Sequence, residues 1–417
     1  MTNKLLLAAL SLALAPTAFA DRSPAEFTAL LARYDAATSS GDKALLGDQV
    51  DAAAGQRYAT VSRLYWYEDL EQAKAAAAAS GKPILELRML GRLDEDQSCA
   101  NSRLFRATLY ANQAVAKQMR ENFILLWTSE RPVPKVTIDF GDGRTLQTTI
   151  TGNSAHYILD AEGDVVDVLP GMYAPDAFRA ELTKSAVLAR RIAAVPPAKR
   201  ASAIREAHGR ALVALNKKAR ELKAVEHIPG TDPTGKSYFE LAQRATISKA
   251  YIEVPKLPTV RAGDALKLDE GNTAAWSALG AAWWSFAPPR STELVIAPTV
   301  GAVPPVLDTA SQALVLDLEH GALEPGAVGP SDDAMILARL EQHLLADSAL
   351  NELRLRRAIH ERMYKKTEGF APLNAYVYAE VFHTPASDPW LGLVPRSDFT
   401  GMPGDGVHVP ATSLSSR

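Results

Sequence analysis

The chain of 417 residues predicts an α/β domain, a mixed sheet flanked by helices, followed by a mainly α-helical domain. Three observations carry this. Between about residues 62 and 186, short apolar and β-branched runs alternate with helical patterns, and two pairs of runs flank tight-turn signals. After about residue 186 the strand signal fades. Beyond that point, helical stretches are separated by proline-rich connectors at 254–258, 288–305 and 324–330.

The elements follow in order. Lys4, the apolar run Leu5 to Ala15 and Ala18-Phe19-Ala20 have the three-part layout of a secretory signal, with Asp21 as the expected mature start. The run is too short to span a bilayer. Ser23-Pro24-Ala25-Glu26 is a capping box with proline at the first helical position, and Phe27, Leu30, Leu31 and Tyr34 share one face, so residues 21–61 form a helical leader. Leu64 to Tyr67 is a short strand candidate. Glu68 to Ser80 is alanine-rich and helical, and Gly81 stops it. Pro83 to Met89 reads as a strand, Cys99 to Glu121 as helix in one or two pieces, and Phe123 to Thr128 as a buried strand. Val136 to Phe140 and Thr145 to Ile150 flank Gly141-Asp142-Gly143, a hairpin signal. Ala155 to Leu159 and Val165 to Leu169 form a second hairpin, and Pro175 opens a closing helix. Residues 187–393 form the mainly helical domain, with helices expected at 197–225, 236–251, 272–286, 332–346 and 348–366. Residues 394–417 are a loose tail rich in glycine, proline and serine.

Composition excludes several classes. The formal net charge is −3, and losing residues 1–20 removes Lys4 and no acid, leaving −4. A mildly acidic chain without a long basic run argues against nucleic acid as a partner. No stretch after the signal reaches the apolar length of a membrane span. The expected location is therefore periplasmic or secreted. The eight histidines make no HExxH or other close ligand pair, so neither a metal nor a cofactor is expected.

The single cysteine, Cys99, cannot form an internal disulfide, although exported proteins usually carry cysteines in pairs. Around it the order of elements resembles the thioredoxin superfamily. Gly81-Lys82-Pro83-Ile84-Leu85 is similar to the entry of that family's central strand. Cys99-Ala100-Asn101-Ser102 stands where the family's C-x-x-C opens a helix. Tyr110, Val115-Ala116, Asn122-Phe123 and Glu130-Arg131-Pro132 follow at similar spacing. The resemblance covers roughly residues 62–184, within a domain expected over 62–186. It implies a thioredoxin-like fold with Cys99 as nucleophile and Ser102 in place of the second cysteine. It also places Ser154 where the family has a proline facing the cysteine, with Ser98 replacing the usual aromatic.

The expected chemistry follows from these residues. A thiolate at a helix start gains from free backbone N–H groups. Ser102 is the expected hydrogen-bond partner of the sulfur. Ser154, His156 and Arg103 are nearby candidates, with Ser154 and His156 on one strand face. Arg103 and Arg106 favour the thiolate, whereas Asp94, Glu95 and Asp96 oppose it. Without a second thiol, a mixed disulfide on Cys99 waits for an external thiol. The expected activity is monothiol disulfide exchange or mixed-disulfide formation with a protein or small thiol/disulfide partner. The alternative is a redox-inactive thioredoxin-fold binding or scaffold protein.

Other motifs point to structure. Gly230-Thr231-Asp232-Pro233-Thr234-Gly235-Lys236-Ser237 matches a phosphate-loop pattern and Leu314 to Asp317 could mimic a second, metal-holding strand, but the residues before the loop read as a helix end and the α/β alternation is missing, so a structural turn is expected. Gly152-Asn153-Ser154-Ala155-His156 comes near a hydrolase elbow but precedes its strand. Trp276, Trp283, Trp284 and Phe286 read as core. Arg354, Arg356, Arg357, Arg362, Lys365 and Lys366 read as a solvated basic face beside the stripe Leu355, Ile359 and Met363.

Overall fold

The computed structural model describes residues 22–149, 152–222, 270–284, 306–321 and 330–388. The leader forms α1 (Pro24–Ala36), α2 (Ser40–Ala54) and a short α3 (Ala59–Ser62). Ser23 caps α1 by accepting from the Glu26 N–H, with Pro24 at the first position as the sequence suggests. Next come α4 (Leu70–Ser80), β1 (Ile84–Leu90), α5 (Ala100–Leu104), α6 (Gln113–Asn122), β2 (Ile124–Arg131), β3 (Lys135–Asp139), β4 (Thr145–Thr149), β5 (Ala155–Leu159), β6 (Val165–Pro170) and α7 (Pro175–Ala193). The chain is thus mixed α/β.

The main sheet has four strands in the order β2-β1-β5-β6. β2 is parallel to β1, so their connection crosses over through α5 and α6, while β5 is antiparallel to both β1 and β6. Strands β1, β5 and β6 are buried on both faces, which fits their unbroken apolar runs. The expected strand at Leu64 to Tyr67 is reduced to one parallel bridge, Tyr67 to Leu126. Leu64 and Trp66 are buried in the core, and the indole N–H of Trp66 is held by Gln56, so side-chain packing replaces a ladder here. β3 and β4 pair only with each other, as a hairpin beside the main sheet.

The later helices are α8 (Pro197–Glu221), α9 (Glu270–Trp283), α10 (Thr309–Gly321), α11 (Pro330–Leu350), α12 (Arg357–Lys365) and α13 (Phe370–Tyr376). A π-helical segment, Asn351–Arg356, joins α11 to α12 without a break, so the helices expected at 332–346 and 348–366 are one continuous run. α10 corrects the reading of Leu314 to Asp317 as a mimic strand: they are helical, with Leu314 and Val315 facing the core. The residues of the phosphate-loop match, the signal, the helix expected at 236–251, the connectors at 254–258 and 288–305, and the tail lie outside the described residues.

One apolar core runs from the sheet into the helical half, joining Leu87, Tyr157 and Val168 to Leu345, Ile359, Val377 and Tyr378. The two approach closely at Gly171, whose φ is +71°; a Cβ there would meet the Asn351 amide at 2.7 Å. Among the described residues, no helix is long and apolar enough to cross a membrane.

Candidate functional site

β1 ends at Leu90, and the chain turns at Gly91, whose φ of +76° is in the left-handed region. A side chain there would press on Val133 and on the Ser98 backbone, so glycine lets the 92–98 loop fold back. The Cys99 N–H then bonds the Leu90 carbonyl at 3.1 Å, placing the cysteine at the end of β1. Cys99 is the residue at the N-terminal boundary of α5, which continues through a π-helical turn, Phe105–Tyr110.

The thiol is 0% exposed. Its sulfur lies 3.0 Å from the Ser154 Oγ and 3.4 Å from the Ser102 Oγ. These two serines play different parts. Ser102 Oγ has the Cys99 carbonyl oxygen at 2.8 Å and Ser98 Oγ at 2.7 Å, and its single proton is directed to these oxygens. It therefore accepts from the thiol. Ser154 has the sulfur as its one hydroxyl contact among the described residues, which leaves its proton for the sulfur. Ser154 is thus the better donor to a thiolate.

His156, two residues along the strand, accepts or donates at Nε2 to the Tyr110 hydroxyl at 2.7 Å and packs between Phe105 and Phe178. Burial pushes its pKa down to about 3, so the imidazole is neutral. Arg103 does not reach the sulfur: it donates to Thr149 Oγ1 at 2.9 Å, and Thr149 in turn donates to the Ser98 carbonyl. Arg106, 1% exposed, donates to the carbonyls of Leu93 and Glu95 and pins the loop before Cys99. The upstream acids are occupied elsewhere, Asp94 and Glu95 by Arg92 and Asp96 by Arg57. The charged groups flanking Cys99 in sequence are thus each held by other partners.

Three segments close over the pocket. The Asn101 amide donates to the Gly152 carbonyl. The hairpin of β3 and β4 adjoins through Gln97 to Gln147 and through Thr149. The third comes from far along the chain: a π-helical segment, Val377–Val381, and the turn after it. Asn153 donates to Thr384 Oγ1 at 3.0 Å, Tyr378 donates to the Asn153 carbonyl at 3.5 Å, and Arg131 donates to the Thr384 carbonyl at 2.6 Å.

A second buried polar centre lies at the far edge of the sheet, where the sequence suggests only a solvated basic face. That expectation is corrected at Arg356 and Arg354. The Arg356 side chain is 4% exposed and bridges Asp167 of β6, Glu181 of α7 and Glu352. Arg354 stacks on Trp276, with ring centroid at 4.9 Å, and burial lowers its pKa to about 9. Burial alone would raise Asp167, but Arg356 beside it holds its carboxyl below the usual range. Burial raises Glu352 to about 7 even though Arg356 pulls the other way. Beside them His208 and His360 meet Nδ1 to Nδ1 at 2.7 Å, and His208 Nε2 faces the Val166 carbonyl. Burial lowers both histidines. The crowding of arginines along one helical run hid this centre, because it does not reveal which member turns inward.

Asp167, His208 and His360 have the residue types and proximity of a metal site. The geometry fits a shared proton better. A tetrahedral ion with bonds of about 2.0–2.1 Å would hold the two nitrogens about 3.3 Å apart, whereas they stand at hydrogen-bond distance. Asp167 Oδ2 is already shared by Arg356 and Ser185. Comparison with known proteins finds no matching family model, curated protein or solved structure.

Proposed function

We propose that this is an exported, periplasmic or secreted thioredoxin-like protein that exchanges with partner disulfides through Cys99 alone. The strand order β2-β1-β5-β6, with a parallel crossover followed by an antiparallel hairpin, supports the fold assignment. The position of Cys99 after the central strand and at a helix start supports its role. The observation that carries the reading is the 3.0 Å contact between the sulfur and Ser154 Oγ, made across the sheet by a residue 55 positions away.

The step is a simple exchange. The Cys99 thiolate attacks one sulfur of a partner disulfide. A new S–S bond forms as the old one breaks, and the departing sulfur leaves as a thiolate that takes a proton from solvent. Ser154 donates to the attacking sulfur. Ser102 carries no thiol, so the mixed disulfide persists until a second thiol from the partner or a small molecule releases Cys99. The test is capture of Cys99-linked mixed disulfides on non-reducing gels from the native compartment, with Cys99→Ala as blank. Partner bands present only with Cys99 are expected; their absence beside a working control overturns the reading.

Complete burial of the thiol favours one other reading, a redox-inactive scaffold that keeps Cys99 as a core residue. In that case Cys99→Ala retains full function and loses only the modest stability that truncating a buried side chain costs.

A further inference from the structure

We infer that the segment Val377–Thr384 is a lid over Cys99 that opens while the rest of the fold stays intact; this rests on the exchange reading above, because a sealed thiol cannot meet a partner sulfur.

The segment touches the pocket at its lip. Thr384 takes the Asn153 amide and Tyr378 takes the Asn153 carbonyl, one residue before Ser154. Upstream, Asn374 anchors the hinge end: it accepts from Tyr157 at 2.9 Å and donates to Glu130, which pairs with Arg88. The lid thus has a fixed base and a tip tied to the sheet side by the two bonds at Asn153 and by Arg131, which donates to the Thr384 carbonyl.

Opposing features set its balance. Val377, Tyr378, Val381 and Phe382 are buried, which keeps the closed state dominant. Against closure, one acceptor at the seam, Asn153 Oδ1, is buried with no hydrogen-bond partner among the described residues, and opening would let water reach it. His383, a non-glycine residue, holds φ at +53° at the tip, a conformation relieved when the tip is free. The π-helical turn that forms the lid is a less regular hydrogen-bonded element than the α-helices around it. Together these make a locally weak unit, of the kind that opens below the global unfolding free energy.

The experiment measures iodoacetamide modification of Cys99 in the full chain at increasing urea, below the unfolding transition, for wild type, Thr384→Val and Tyr378→Phe. The wild-type rate should rise with urea far less steeply than global unfolding does. Each variant should speed modification about three- to tenfold with little change in the unfolding midpoint. A urea dependence equal to that of global unfolding, or variant rates that change only in step with global stability, overturns the lid. The probe needs exposure and no redox partner. Rapid modification with no mixed disulfide captured therefore sinks the exchange reading and leaves the lid standing.

Discussion

The two buried polar centres lie on the same sheet but use opposite means. Around Cys99 the groups that face the sulfur are neutral hydroxyls, and the nearby arginines and acids are turned aside to hold loops. Around Arg356, full charges meet inside the protein. A buried ion network depends on its central cation, since removing it leaves buried acids uncompensated. A hydroxyl-lined pocket loses one hydrogen bond at a time. The first arrangement suits a fixed joint between sheet and helices; the second suits a place that must change state.

The strongest way to break this comparison is Arg356→Met. It leaves Asp167 without its ion-pair partner and Glu181 with Lys184 alone, and should destabilise the protein by about 3–5 kcal/mol, read as a lowered denaturation midpoint. A loss below about 1 kcal/mol would mean the joint is not ionic in character.

Titration sharpens the contrast next, because key groups of the two centres respond in opposite directions. Glu352 sits at about 7 against an ordinary 4.5. Its contribution is fully present below pH 4.5 and is lost as pH rises through 7. Glu352→Gln should therefore gain stability on the order of 1–3 kcal/mol over wild type at pH 8 and little at pH 4. His156 sits at about 3 against 6.5. Its contribution is present above pH 6.5 and is lost as pH falls toward 3, so His156→Gln should flatten acid denaturation in that window. Equal pH profiles for wild type and both variants would remove titration from the comparison.

The smallest effects separate the two serines. Ser102→Ala removes bonds within the helix start and should cost about 1 kcal/mol, with Cys99 exchange with a small disulfide at pH 7 little changed. Ser154→Ala should leave stability within about 0.5–1 kcal/mol but slow that exchange several-fold. The reverse outcome would return Ser102 to the role the sequence suggests.

Much of the α/β half was legible because its signals are local. Gly81, Gly141-Asp142-Gly143 and the capping Ser23 mark ends that the structure keeps. The pairing of Cys99 with Ser154 was also anticipated, through the resemblance. The choice between Ser102 and Ser154 was not, since it depends on where one hydroxyl proton goes. Arg356 was misread for a related reason. Helical spacing shows that Arg354, Arg356 and Arg357 differ in facing, yet only the carboxylates at positions 167 and 181 decide which one is drawn in. α13 left no strong signal because it is short and opens on glycine and phenylalanine.

The contact between Asn153 and Thr384 spans 231 positions. A chain made from its N-terminus completes the sheet and its cysteine well before residue 384 exists. The thiol therefore has a period in the life of every molecule when nothing from the C-terminal half covers it.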